Sequence, residues 1–239
     1  NLYFENESLK AQLTDFMPSL PKIDEMKAIY LTVNTAFSSK LGKIIGLVGS
    51  SELNSIVIDI KDGEKLYLNN DMKKVVRRLR LANIFPVARL PVFQHDGLAK
   101  NHPEWALKTA GGALWKDSGG RYWLDPASQQ AWQIILEEVK EAAKIGFGEI
   151  NLDYIRFPSD GKLNNVIYPV WDKKISRVEI INNFARFIKE GLKKDYPEVK
   201  LTADVFGYLL LRDDDLGIGQ SVVELAKIFD FIYPMVYPS

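Results

Sequence analysis

The sequence has 239 residues, 46% of them hydrophobic, which is enough for one domain with a sizeable core. Lysine plus arginine number 31, as do aspartate plus glutamate, and this balance argues against a nucleic-acid binder. Cysteine is absent, which excludes disulfides and thiolate metal sites, and His95 and His102 are the only histidines. We therefore expect no metal and no cofactor. The sequence shows no signal peptide and no apolar run of membrane-spanning length.

The start of the chain reads differently from the rest. Residues 1–5 resemble a protease-site remnant of an expression tag, and we interpret residues 1–22 as this remnant followed by a polar lead-in. The domain itself is predicted over residues 23–239, with a long Gly-rich loop insertion at about 94–125.

Six apolar runs alternate with amphipathic segments along the chain. The runs are nearly continuous rather than alternating, which is typical of parallel strands buried on both faces. They cover residues 28–32, 55–60, 85–92, 149–157, 201–207 and 231–237. Helices are predicted at 38–49, 70–83, 126–146, 176–195 and 221–229, the third with Asp125 as its N-cap and Gly146 after its end.

This order predicts an α/β fold with a parallel sheet, either an open doubly wound sheet or a barrel. No phosphate-binding glycine motif follows a strand, whereas polar residues cluster at the C-terminal ends of the strands, as in a TIM-type (β/α) barrel. The sequence therefore favours the barrel. Only six strands are predicted, so we expect a barrel that is incomplete at its C-terminus and is completed by a partner copy or by further residues.

Three aspartates stand inside these apolar runs, where a carboxylate is costly unless it is paired or faces a cavity. Asp59, Asp153 and Asp204 occupy comparable places on three strands and would converge on one barrel mouth. Glycoside hydrolysis needs two carboxyl groups at one cleft, one protonated and the other ionised. Arg89 and Arg156 are the cations that could hold one of them ionised.

Each aspartate also has a purely structural explanation. Asp153 could pair with Arg156, Asp204 could cap the turn that follows it, and Asp59 could pair with Lys61. A second signal is aromatic, because sugar rings stack on aromatic side chains. The aromatic candidates are Trp115 and Trp123 in the loop insertion, which could equally anchor that loop onto the body, and Tyr154, Phe206 and Tyr237 at strand ends, which could instead fill the core.

Several blocks together resemble a family of glycosyl hydrolase domains related to the α-amylase-like (family 13-like) barrels. These blocks cover residues 27–36, 54–62, 123–126, 151–158, 203–207 and 233–239, and Asp-Tyr-Ile-Arg-Phe-Pro at 153–158 is the most specific. The resemblance implies that Asp153 is the nucleophile and that the acid on the next strand, Asp204, is the proton donor, although glutamate is usual there. It also implies a bacterial protein that is extracytoplasmic or attached to the cell surface.

The sequence thus predicts a glycoside hydrolase acting on an oligo- or polysaccharide, by a retaining mechanism in which Asp153 and Asp204 are catalytic. The predicted substrate-binding residues are Asp59, Arg89, Trp115, Trp123, Tyr154, Arg156, Phe206 and Tyr237. The alternatives are a non-catalytic glycan-binding module on a degenerate barrel and a lyase or aldolase that uses Lys61. A carbohydrate is the expected partner, and nucleic acid is not.

Overall fold

A computed structural model describes residues 16–237, so the proposed tag remnant at residues 1–5 lies outside the described residues. Six parallel strands, each hydrogen-bonded to the next one along the chain, form one sheet that curls into an open half-barrel. The predicted TIM-type architecture with six strands is confirmed. The strands are β1 (Ala28–Leu31), β2 (Ser55–Asp59), β5 (Phe85–Pro91), β6 (Glu149–Asp153), β7 (Lys200–Phe206) and β8 (Phe231–Met235).

Helices connect these strands and cover the outside of the sheet. They are α1 (Val33–Ala36), α2 (Lys40–Gly49), α3 (Asn70–Leu81), α4 (Asp96–Asn101), α5 (Gln129–Ile145), α6 (Arg177–Asp195) and α7 (Val222–Ile228), with 3-10 turns at Leu163–Asn165 and Gly207–Leu211. Helix α5 packs against α6, and α6 packs against α7. None of the helices in residues 16–237 has both the length and the apolar character needed to cross a bilayer.

The start of α5 corrects one prediction. Ser128 is the N-cap, with its hydroxyl accepting from the amide of Ala131, so the helix begins three residues later than expected. Asp125 instead accepts hydrogen bonds from the amides of Val170 and Trp171 and ties a distant loop to this turn. The other end agrees with the prediction, because Gly146 takes a left-handed conformation with φ of 111°.

The core lies between the outer face of the sheet and the helices. Outward residues of the central strands, including Ile58, Leu90, Ile150, Leu152 and Ala203, have no exposed surface. Apolar burial of this kind is the main favourable term in folding, and here it fixes the strands in register. The inner face of the sheet is therefore positioned by packing on its opposite side.

Strand β6 is shorter than predicted, and the reason is local. It ends at Asp153, because Tyr154 adopts φ of 53°, a left-handed conformation that cannot continue a strand. The run of apolar residues up to Phe157 is buried loop rather than strand. The chain turns sharply at the point where the site begins.

The predicted loop insertion at 94–125 has more structure than expected. It contains α4, and isolated bridges join Gln94 to Trp123, Ala106 to Leu124 and Lys116 to Tyr122. A two-stranded hairpin, β3 (Lys61–Asp62) and β4 (Lys65–Leu66), follows β2 and was not predicted. Both segments lie at the C-terminal ends of the strands, which is the functional face of such barrels.

Candidate active site

Polar side chains line the inner face of the half-barrel at alternate strand positions. Since successive side chains of a strand point to opposite faces, the residues that neighbour the buried apolar ones must point inward. On β5 this residue is Arg89, on β6 they are Asn151 and Asp153, and on β7 it is Asp204. These residues line one open cleft together with Tyr30 and Tyr233.

Arg89 stands at the centre of this face and contacts all three predicted aspartates. Its Nη1 lies 2.6 Å from Oδ1 of Asp59, its Nη2 pairs closely with Oδ2 of Asp153, and its Nε lies 3.6 Å from Oδ2 of Asp204. The structure therefore brings Asp59, Asp153 and Asp204 together around one guanidinium. A single cation faces three carboxylates, so these acids cannot all be fully compensated when ionised.

Strand register places the two proposed catalytic acids side by side. Asn151 of β6 pairs with Thr202 of β7, and Leu152 pairs with Ala203. The next residues along these two strands are Asp153 and Asp204, both on the inner face. Neighbouring strands lie about 4.8 Å apart, so the two carboxyl groups are close neighbours.

The two acids differ in their surroundings. Burial raises the pKa of Asp204 to about 7, and the negative charge of Asp153 adds to the rise, while Arg89 and the amide of Asn151 oppose it. The Asn151 amide donates to Asp204 over 3.2 Å. Asp204 is thus largely protonated in weakly acidic solution, whereas Asp153 is in close ion pair with Arg89.

The Asp153 carboxylate is fixed on both sides. Its Oδ2 accepts from Arg89, and its Oδ1 accepts from the backbone amide of Tyr154 over 2.6 Å. The left-handed backbone of Tyr154 aims that amide back at the preceding side chain. Strain of this type is found at functional sites, where the surrounding structure holds the residue in place.

Sequence reasoning missed Tyr30 and Asn151, which the structure adds to the site. The Tyr30 hydroxyl donates to Asp59, and burial together with this hydrogen bond raises the tyrosine pKa above its ordinary range. Both residues could have been found from strand periodicity, because Asn151 lies two positions before Asp153 and Tyr30 lies inside the first apolar run. Neither is charged, which is why they did not stand out.

At Arg89 and Asp153 the open cleft continues into a cavity of about 370 Å³ at the C-terminal ends of β6, β7 and β8. Its aromatic lining comes from Tyr154, Phe206, Tyr208 and Tyr237. Tyr208 and Tyr237 are 58% and 78% exposed, so their rings are available to a ligand. Gly207 lets β8 approach here, since a Cβ at this position would lie 2.5 Å from the carbonyl oxygen of Met235.

Two of the predicted stacking residues are buried, and the prediction for them is wrong. Trp115 and Trp123 are only 2% and 1% exposed, which leaves no ring face for a sugar. The Trp123 indole donates to Asp117 over 2.8 Å, and the Trp115 indole donates to the carbonyl of Lys162 over 3.3 Å. Both rings anchor the 94–125 segment, and the aromatic surface of the cleft comes from Phe206 and three tyrosines instead.

The remaining predicted residue, Arg156, also lines the cleft but does not pair with Asp153. Its Nη1 donates to the carbonyl of Phe157 and to the hydroxyl of Ser159, each over 3.1 Å. Its guanidinium lies over the rings of Trp123, Tyr154 and Phe206. The structural explanation for Asp153 is therefore wrong in its partner, which is Arg89.

The other two structural explanations also differ from what is seen. Asp59 pairs with Arg89 rather than Lys61, and Asp204 contacts Asn151 and Arg89 rather than capping a turn. Lys61 lies away from the cleft, where its ammonium donates to the carbonyl of Pro91 near His95 and Glu138. Burial lowers the Lys61 pKa to about 8, but with 6% exposure it is closed to a carbonyl substrate.

Residues 28–239 match the model of a family described as "Putative glycosyl hydrolase domain". A comparison with curated proteins found no significant match. Among solved structures, a hypothetical protein from Ruminiclostridium thermocellum ATCC 27405 is 32% identical with a TM-score of 0.65, over 74% of this chain and 97% of that one.

More distant structures share the fold. TtGalA, an alpha-galactosidase from Thermus thermophilus solved with stachyose, gives a TM-score of 0.58 at 14% identity, over 95% of this chain and 47% of that one. The maltogenic alpha-amylase AmyB from Thermotoga neapolitana gives 0.55 at 11% identity, over 87% and 48%. The chain thus spans about half the length of these two enzymes.

Proposed function

The chain belongs to this glycosyl hydrolase domain family, and from that premise we propose that it is a retaining glycoside hydrolase acting on an oligo- or polysaccharide. In this proposal Asp153 is the nucleophile and Asp204 is the general acid and base. The observation that carries it is the pair of neighbouring inner-face acids with unequal environments. One acid is in close ion pair with Arg89, and the other has a pKa of about 7.

The chemistry follows from these two protonation states. In the first step an Asp153 oxygen bonds to the anomeric carbon while the bond to the leaving oxygen breaks, and the Asp204 carboxyl gives its proton to that oxygen. In the second step the Asp204 carboxylate takes a proton from water. The water oxygen then bonds to the anomeric carbon and releases Asp153, so that Asp204 is protonated again.

Strand geometry supports retention over inversion. Retaining enzymes hold their two carboxyl groups about 5–5.5 Å apart, whereas inverting enzymes need about 6.5–9.5 Å to admit a water molecule. Asp153 and Asp204 lie in register on adjacent strands, and neighbouring strands are about 4.8 Å apart. This strand spacing favours the shorter separation of the carboxyl groups. Arg89 would then stabilise the charge of Asp153 between turnovers, and Tyr30 would orient Asp59, which is the third partner of Arg89.

The substrate would bind along the cleft. Tyr208 and Tyr237 offer exposed rings on which a sugar ring can stack, and Phe206 and Tyr154 narrow the cleft beside Asp153. A polysaccharide substrate would accord with the extracytoplasmic or cell-surface location that the resemblance implies.

Chemical rescue with azide tests the assignment on activated aryl glycosides that the wild-type protein is found to cleave in a screen. Asp204→Ala should hydrolyse these substrates slowly and, with azide, form a glycosyl azide of retained configuration, because the covalent intermediate on Asp153 still forms. Asp153→Gly with azide should give the inverted product, since azide then attacks in place of the carboxylate. Proton NMR of the anomeric centre distinguishes the two products.

Asp213→Asn, at an exposed aspartate outside the site, is the control for both variants. Full turnover by the Asp153 variant, or the same product configuration from both variants, would contradict the assignment.

A second candidate is a glycan-binding domain without catalysis. The observation that favours it is Arg89, which engages all three carboxylates and so leaves no acid without a cationic neighbour. A glycan array distinguishes the two functions. Binding without any reducing ends released from the bound glycan would select the binding domain.

A further inference from the structure

Arg156 is a buried cation at the edge of the cleft, next to Asp153 in the lining. It is 6% exposed, and its guanidinium carbon lies 4.7 Å from the ring centre of Phe206, 5.0 Å from that of Trp123 and 5.2 Å from that of Tyr154. Such ring contacts stabilise a cation and fix the plane of its guanidinium. The side chain is therefore oriented before any ligand arrives.

One edge of this guanidinium is used and the other is not. Nη1 donates to the carbonyl of Phe157 and to the hydroxyl of Ser159, whereas Nε and Nη2 have no hydrogen-bond partner within residues 16–237. No carboxylate in that part of the chain forms an ion pair with Arg156, in contrast to Arg89, which has three. A buried charge normally requires a charged or well-placed polar partner.

We propose that the Nε–Nη2 edge of Arg156 binds the carboxylate of a uronic acid unit, so that the substrate is an acidic glycan. This edge presents two parallel N–H donors, which match the two coplanar oxygens of a carboxylate in a bidentate pair. The inference rests on the proposed function, because it assigns the substrate of the same cleft. It adds a specificity-determining residue that touches the sugar but not the reacting atoms.

The neighbouring charges permit an anion at this position. Three acids act electrostatically on Arg156, namely Asp153, Asp160 and Asp117. Only Asp153 lines the cleft, and its charge is offset by Arg89. The exposed rings of Tyr208 and Tyr237 complete the lining. A sugar that stacks on these rings could direct a C6 carboxylate at Arg156, whereas the C6 hydroxymethyl group of a neutral hexose would leave the guanidinium unpaired.

Calorimetric binding to the native chain tests the proposal without any mutation. The probes are tetrasaccharides of galacturonic, glucuronic and mannuronic acid, each as the free acid and as the fully methyl-esterified form. At least one free acid should bind about tenfold or more tightly than its own ester, because esterification removes the charge and keeps the sugar. A sulfated galactan tetrasaccharide is included to separate carboxylate recognition from general anion binding.

Two substitutions then locate the contact. Arg156→Gln should reduce affinity for the free acid about tenfold or more and leave the ester unchanged, while Arg156→Lys should recover part of the affinity through charge alone. Arg186→Gln, at an exposed arginine on α6, should change neither. Unfolding curves show whether each variant is folded. If a variant is not folded, the comparison of acid with ester in the native chain still tests the proposal.

Several outcomes overturn the inference: no uronate binds, acid and ester bind equally, only the sulfated glycan binds, or Arg156→Gln retains native affinity for the acid. Failure of the proposed function is seen separately, by assaying reducing ends from the bound glycan. Selective uronate binding without hydrolysis contradicts catalysis and keeps this inference. Hydrolysis of neutral glycans at rates insensitive to Arg156→Gln supports catalysis and contradicts this inference.

Discussion

The two faces of the same sheet differ as much as any two regions of this molecule. On the outer face Leu90, Leu152 and Ala203 are fully buried under helices. On the inner face their sequence neighbours Arg89, Asp153 and Asp204 form a charged network open to a cleft. Side chains one position apart thus contribute to stability on one face and to the site on the other.

This contrast teaches how a site of like charges can be held together. Three acids around one cation would separate if they stood on flexible loops, because the net interaction among them is not favourable in every protonation state. The apolar packing behind them holds the strands in register and so fixes their spacing. Substitutions on the two faces should therefore lower the free energy of unfolding with different dependence on pH.

The largest effect is expected at Arg89. Arg89→Met leaves three mostly buried carboxylates without their cation and should lower the free energy of unfolding by about 3–5 kcal/mol at neutral pH. The loss should shrink in mild acid, where the carboxylates can protonate. Urea unfolding at two pH values measures both, with Arg186→Met as control; a small loss at neutral pH would mean that the network is not stabilising.

The outer face should respond without any dependence on pH. Leu152→Ala removes a fully buried side chain and should lower the free energy of unfolding by about 2–5 kcal/mol, equally in acid and at neutral pH. Leu81→Ala, at an exposed leucine of α3, should cost much less. A loss for Leu152→Ala that changed with pH would show that the two faces are electrostatically coupled.

Asp204 should make stability depend on pH. Its folded pKa of about 7 lies above the unfolded value of about 3.9, so the folded state binds more protons between these values. The contribution of this group to the free energy of unfolding is therefore fully present in acid. It falls as pH rises toward 7, by up to about 1.4 kcal/mol per pH unit. Asp204→Asn should flatten the curve and Asp213→Asn should not; an unchanged slope in Asp204→Asn would refute the raised pKa.

The smallest effect is expected at the rim of the cleft. Tyr208→Ala should weaken glycan binding by roughly 0.5–1.5 kcal/mol, since one stacking ring is lost, and should change unfolding by less than about 0.5 kcal/mol because the ring is exposed. Tyr208→Phe keeps the ring and should bind normally. Calorimetry with a bound glycan measures this, and unchanged affinity in Tyr208→Ala would exclude the ring from the binding surface.

Much of the fold could be predicted from the sequence, because the signals were local. Continuous apolar runs indicated buried parallel strands, amphipathic spacing indicated helices at 176–195 and 221–229, and Gly146 marked the end of α5. The end of β6 could not be predicted, since apolar residues continue to Phe157 and only the backbone of Tyr154 ends the strand. Hairpin β3–β4 was too short to give a pattern.

The site was predicted in part. A carboxylate inside an apolar run is a strong signal, and the structure brings Asp59, Asp153 and Asp204 together, while their catalytic roles stay a prediction. Partners were harder to predict, because the pairing of Arg89 with these acids depends on strand register, which a single sequence does not give. Trp115 and Trp123 were misjudged for a related reason, since aromatic residues in a Gly-rich loop serve equally as anchors.

Because Tyr154 has a left-handed backbone, selection for stability and selection for function favour different residues at this position. A left-handed backbone costs a residue with a Cβ roughly 1–2 kcal/mol, and glycine avoids this cost. Selection for heat tolerance alone would therefore favour glycine at position 154. The same exchange would remove the ring beside Arg156 and loosen the amide that holds Asp153. Under the proposed function, thermostable descendants of this domain that carry glycine there should turn over substrate more slowly.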